Sequence, residues 1–186
     1  MDKTTDAVVS KRGRTGQDNA GTVVVHPFPP LCNAASRVLI LGTMPSPASR
    51  EQAFFYAHPR NRFWPVIAAV FDEPPPLTKE DRIQFALERN LAIWDVLASC
   101  LIDGAADHTI KHPEANDLLP LLHETKITRV FTTGSKAYAL YTKLCLPRTG
   151  LPATPLPSTS PANQRVSFAG LVEKYRAIRT AVEMLP

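Results

Sequence analysis

The chain reads as an α/β fold, a short central parallel sheet of about four strands with helices on both faces. Two observations predict it. Short continuous apolar runs at Arg37 to Gly42, Leu91 to Leu97 and Ile127 to Gly134 have the length of strands buried on both faces. Stretches with apolar residues at helical spacing separate them, which is the alternation that a parallel sheet needs for its crossovers. In such a sheet the functional cleft lies at the carboxyl ends of the strands, so the loops after them are the ones to read for chemistry.

Taken in order, Met1 to Gly21 holds Lys3, Lys11, Arg12 and Arg14 against Asp2, Asp6 and Asp18, with three glycines and little apolar periodicity. Residues 1–22 are therefore expected to form a disordered tail, and 23–186 a single domain. HPFPP, His26 to Pro30, is a stiff lead-in, and the run ending at Gly42 is the first strand. Phe63, Val66, Ile67, Val70 and Phe71 make the apolar face of a helix whose first turn tolerates Pro65 and which stops before Pro74 to Pro76. Thr78 and Asp81 resemble a capping box for a second helix, continued by Ile83 and Leu87 and ended at Asn90. The second strand follows at Leu91.

Asn116 or Asp117 can cap a helix through LLPLLHE, and the third strand runs into a helix over SKAYALYTKL. ATPLPSTSPAN is a fourth strand broken by proline, or the exit from a strand. The stripe Phe168, Leu171, Val172, Tyr175, Ile178, Val182 and Leu185 closes the chain as a helix capped by Ser167.

Composition narrows the class. The chain has 186 residues, 44% hydrophobic and 20% charged, which is the balance of one globular domain and excludes a disulfide scaffold or a low-complexity chain. Its 18 prolines are about twice the usual ~5% share. No run reaches the ~18 apolar residues of a membrane span, and the first residues lack the apolar core of a signal peptide, so a cytoplasmic protein is expected. Cys32, Cys100 and Cys145 are too few and too scattered for a disulfide framework or a four-thiolate metal or iron–sulfur site. His108 and His112 stand four apart, a spacing that places metal ligands on one helix face, but Pro113 follows and no third ligand is near in sequence, so no metal is assigned. A net charge of +4 leans toward polyanionic partners.

The loop after the first strand is the richest in chemistry. Gly42 permits close backbone approach, Pro45 and Pro47 fix a turn, and Phe54, Phe55 and Tyr56 offer flat faces ahead of His58 and Asn61. Spacing alone reads Asn61 as the cap of the next helix. Gly134, Ser135 and Lys136 open a helix after the third strand, where free amides attract phosphate or simply begin the helix.

Three segments in order, GTMPS at Gly42 to Ser46, YAHPRNRFW at Tyr56 to Trp64 and PSTSPAN at Pro157 to Asn163, supported by IWDVLASC at Ile93 to Cys100, resemble the uracil-DNA glycosylase superfamily and within it the hypoxanthine (deoxyinosine) DNA glycosylase branch. The resemblance runs from about His26 to the last helix. It implies that family's fold and hydrolysis of the N-glycosidic bond of a flipped deaminated base in DNA by a cofactor-free, monomeric enzyme, and a monofunctional one is expected because the three motifs hold no lysine to form a Schiff base with the sugar. Many relatives carry a water-activating Asp or Asn two residues after the first glycine, and His or Asn before the last Pro-Ser; this chain has Met44 and Leu156. Those departures fit the hypoxanthine branch, in which the asparagine of HPRN, Asn61, takes the main catalytic role. The resemblance further implies a base pocket of Gly42, Thr43, Met44, Pro45, Ser46, Tyr56 and His58, with Tyr56 as stacking platform. DNA contacts are expected from Ser135, Lys136, Ser158, Thr159, Ser160, Pro161, Ala162 and Asn163. Glu51 and Asp95 are the acidic residues nearest the proposed cleft, either to assist water or, for Asp95, to serve as a buried hydrogen-bonding group. A mismatch-type uracil glycosylase and a non-catalytic nucleic-acid-binding relative are the alternatives.

Overall fold

A computed structural model describes residues 21–184 of the chain. The strands are β1 (Thr22–Val25), β2 (Val38–Gly42), β3 (Leu91–Asp95), β4 (Leu97–Ile102), β5 (Lys111–Ala115), β6 (Arg129–Thr133) and β7 (Ala153–Leu156). The helices are α1 (Pro47–Glu51), α2 (Phe63–Val70), α3 (Lys79–Glu88), α4 (Leu119–Glu124), α5 (Ser135–Leu140), α6 (Leu146–Thr149) and α7 (Phe168–Glu183). Four strands form the expected parallel sheet in the order β3-β2-β6-β7, with helices on both faces.

β2 is apolar at every position because both of its faces are covered. Val38 and Ile40 point into one core with Phe63, Trp64 and Ile67 of α2 and Leu171, Tyr175 and Ile178 of α7. Leu39 and Leu41 point into the other, with Leu121 of α4 and Ala137 and Leu140 of α5. The predicted stripes supply the buried Phe63, Val66, Ile67 and Val70 of α2 and Leu171, Tyr175 and Ile178 of α7, whereas Phe168 in the first turn of α7 is exposed and Leu185 lies outside the described residues. The capping box before α3 forms in both directions between Thr78 and Asp81, and Ser167 caps α7 by accepting from the Gly170 N–H.

A second sheet departs from the expectation. β1, β4 and β5 pair antiparallel in the order β1-β4-β5, and Val24, Leu97, Cys100 and Ile102 add to the second core. The run expected as one strand from Leu91 to Leu97 breaks at Val96, where the chain passes from the parallel sheet to the antiparallel one. Asn116, expected as a possible cap, instead donates its amide to the Asp95 and Leu97 carbonyls on either side of that crossing. Asp117 is not the cap either: Leu118 holds that position, and the exposed Asp117 carboxylate accepts from the Leu119 N–H at 3.3 Å from one residue further out. The expected tail lies outside the described residues except for Gly21 and Thr22, and Thr22 opens β1 paired with Ile102. The helix expected over SKAYALYTKL is α5 followed by a π turn over Tyr141–Cys145 and then α6. His112 lies in β5 and His108 in a 3-10 turn (Asp107–Thr109), so the two do not share a helix face.

Candidate active site

The parallel strands deliver their carboxyl ends to one place. Gly42 ends β2, Asp95 ends β3, Thr133 ends β6, and Ser158, Thr159 and Ser160 follow β7; all line a partly open cavity of about 130 Å³. Thr43, Met44, Pro45, Ser46, Tyr56 and Asn61 complete it from the long loop after β2. The first and last sequence motifs, more than 90 residues apart in the chain, thus meet across one opening.

Their meeting is enforced by hydrogen bonds. The Arg62 N–H donates to the Thr159 carbonyl at 3.1 Å, and its guanidinium donates to the Asn163 and Val166 carbonyls. On the other side, the buried Tyr175 hydroxyl of α7 donates to the Pro157 carbonyl at 2.7 Å. Asn163 folds back within its own loop, donating its amide to the Ser158 carbonyl at 2.8 Å. In the first loop, Ser46 caps α1, a helix that sequence periodicity did not suggest, and Arg50 holds the Pro45 carbonyl at 2.8 Å.

Asn61 is not the cap of α2, a position held by Arg62, but stands one residue ahead of it. Its Oδ1 accepts from the Phe63 N–H at 3.0 Å, and the residue lines the cavity. With the carbonyl oxygen committed to the helix, the amide NH2 is the group left to face a ligand.

Tyr56 is held in the left-handed region at φ 52°, a conformation that costs a non-glycine residue about 1–2 kcal/mol. Its ring stacks on Phe63 with centroids 3.8 Å apart, and its hydroxyl hydrogen-bonds Thr133 Oγ1 at 3.1 Å. Burial, together with the charge of Asp95, pushes the Tyr56 hydroxyl well above the ordinary tyrosine range, so it stays neutral.

Two carboxylates line the cavity. Asp95 is buried and bound through Oδ2 to His26 Nε2 at 3.0 Å, and burial raises its pKa against the opposing effect of His26. His26 comes from the segment just after β1, and its Nδ1 has no partner among the described residues. Gly42 makes room for this pair, since a Cβ there would stand 2.3 Å from Asp95 Oδ1. Asp107, from the 3-10 turn between β4 and β5, accepts from Thr43 Oγ1 at 2.9 Å. Burial is the main cause of its raised pKa, and Asp95 adds to it.

Seven of the named candidates do not line the cavity. His58 turns its Nδ1 to the Arg60 N–H, and Ser135, Lys136, Pro161, Ala162, Asn163 and Glu51 lie outside the lining. Asp107, Thr133, Ser49 and His26 were missed. The Asp103-Gly104 dipeptide between apolar runs is a hairpin signal that could have brought Asp107 back toward the first loop. Among the described residues no group of three or more His, Cys, Asp or Glu is placed to hold a metal, and no helix is long and apolar enough to cross a membrane. Burial raises all three thiols, Cys145 to about 11, which keeps them unreactive.

Comparison with known proteins agrees with this architecture. A hypoxanthine DNA glycosylase of Methanosarcina acetivorans is 28% identical over 141 residues, covering 75% of this chain and 89% of the relative. One of Methanosarcina barkeri is 33% identical over 91 residues, 48% of this chain and 57% of that protein. A solution NMR structure from Methanosarcina acetivorans, described as a candidate uracil DNA glycosylase, superposes with a TM-score of 0.71 at 26% identity, over 85% of this chain and 99% of that one. The model of the uracil DNA glycosylase superfamily matches residues 29–182, and the chain belongs to that superfamily.

Proposed function

We propose that the protein is a monofunctional DNA glycosylase that hydrolyses the N-glycosidic bond of a flipped deaminated base, hypoxanthine before uracil, and leaves an abasic site. The observation that carries this reading is Asn61, whose Oδ1 is fixed by the Phe63 N–H so that its NH2 is offered to the cavity. As the bond breaks, negative charge builds on the departing base, and a fixed donor aimed at it is worth about 10²–10³ in rate. The base must leave the stack to reach this donor. Tyr56, braced by Phe63, supplies the flat face against which it rests.

The chemistry of deamination supports the choice of substrate class. Converting adenine to hypoxanthine, or cytosine to uracil, replaces a ring-nitrogen lone pair by an N–H. A buried carboxylate such as Asp95 accepts from that N–H and opposes the lone pair of the undamaged base. A cavity of about 150 Å³ encloses one benzene-sized ring, so a purine's second ring lies toward the open side. The lining includes no lysine to form a Schiff base with the sugar, which supports simple hydrolysis. Ser158, Thr159 and Ser160 beside the cavity, and Pro161, Ala162, Asn163, Ser135 and Lys136 outside it, are the groups proposed to meet phosphates and the gap in the duplex.

The test is base release from oligonucleotides carrying one hypoxanthine, uracil or xanthine, read by alkaline cleavage, with borohydride trapping to detect a Schiff base. Hypoxanthine release without trapping is expected. A strong preference for uracil moves the protein to the mismatch-type enzymes, and DNA binding without release of any base marks a non-catalytic relative.

A further inference from the structure

The loop after β2 has Met44 where a carboxylate would activate water, yet the space beside it is not without an acid. Asp107 arrives there from the turn between β4 and β5 and accepts a hydrogen bond from Thr43 Oγ1, one residue from Met44, with both residues lining the cavity. Resting on the glycosylase reading above, we propose that Asp107 is the catalytic base of this site, supplied in space by an element remote in sequence, and that Thr43 orients it.

Asp95, the other acid in the lining, is unsuited to the task. One of its oxygens is bound to His26, and the other, beside Gly42, is the acceptor proposed above for the N–H of the base, so neither is left for a water molecule. Among the described residues Asp107 uses only Oδ2, toward Thr43, which leaves Oδ1 for a water molecule. Its surroundings suit a working base. Lys136 from α5 and His108 of its own turn favour the ionised form, while burial and Asp95 from β3 oppose it. The carboxylate therefore ionises above the ordinary aspartate range and is a stronger proton acceptor than an exposed one.

The step balances as follows. The C1′–N bond breaks with its electron pair going to the base, whose charge is met by the Asn61 NH2. The water oxygen bonds to C1′, and the water's proton passes to Asp107. That proton then returns to solvent as the base anion takes one up.

The experiment is single-turnover excision from a duplex with one hypoxanthine, across a pH series, with binding to the same duplex measured in parallel. Asp107→Asn keeps an acceptor for Thr43 and is expected to excise about 10²-fold more slowly, with little change in affinity and with the acid limb of the pH–rate profile gone. Thr43→Val leaves the carboxylate and removes a hydrogen bond to its charged form, so the limb moves to higher pH. Added formate is expected to restore part of the rate to Asp107→Ala and none to Asn61→Ala. An Asp107→Asn rate within threefold of wild type, or an acid limb unmoved in Thr43→Val, overturns the assignment. A wild-type protein that releases no hypoxanthine, uracil or xanthine instead overturns the glycosylase reading and this proposal with it.

Discussion

Asn61 holds the start of α2 with one end of its amide and is proposed to meet the leaving base with the other, which makes its substitutions informative. Asn61→Ala loses the hydrogen bond to the Phe63 N–H, worth about 1 kcal/mol, and the proposed donor to the leaving base. Excision is expected to fall about 10²–10³-fold while duplex affinity holds, as single-turnover rates and a binding titration will show. Asn61→Asp keeps the acceptor for the Phe63 N–H, so the protein should melt close to wild type but excise as poorly as the alanine variant. Retained activity would mean that the side chain places water rather than meeting the base. Gly42→Ala tests the wall itself. Its Cβ would stand 2.3 Å from Asp95 Oδ1, so the carboxylate must leave His26, and a loss of about 1–3 kcal/mol in urea denaturation is expected with slower excision. Asn61 and Tyr56 were legible in the sequence because they sit in a continuous motif. Asp107 was not, because its partner Thr43 lies 64 positions away and only pairing of β4 with β5 brings the turn back.

The parallel sheet was legible for a simple reason: strands covered on both faces leave unbroken apolar runs. The antiparallel sheet was not, because β1 alternates exposed and buried within a valine run, and β4 follows β3 after a single residue with no glycine or proline to mark the break. Asn116 makes that break possible by satisfying two carbonyls at it. Asn116→Ala leaves both without those bonds in a buried place and should destabilise by about 1–3 kcal/mol in urea melts. Arg62 does the same service for the loop after β7. With Arg62→Ala, or with Pro161 and Ala162 both replaced by glycine, excision from duplex should suffer more than excision from single-stranded DNA, because a loosened wedge matters only where a stack must be opened. Equal losses on both substrates would assign the loop to the pocket instead.

At the scale of the whole molecule, charge bears on stability as well as on the proposed chemistry. Asp107 titrates above an unfolded aspartate, so its contribution favours the fold fully below the unfolded pKa and is lost as pH rises through the folded value. Asp107→Asn should therefore melt at higher urea than wild type near pH 7, an advantage that vanishes as the solution is acidified below the ordinary aspartate range. A more stable and less active variant is what a working carboxylate predicts. Affinity for DNA, with a net charge of only +4 on the chain, should fall on a log–log salt plot by about 0.9 per phosphate neutralised, and removal of the residues before Thr22 should leave excision unchanged because no residue proposed for the site lies among them. The position of β2, paired on both edges and feeding both cores, has a further consequence for how the molecule opens. Its amides can meet solvent deuterium only when the two cores come apart together, whereas the loops after β2 and β7 can breathe singly, so exchange at Leu39 to Leu41 measures the survival of the whole fold while exchange around Thr159 measures the freedom of the doorway.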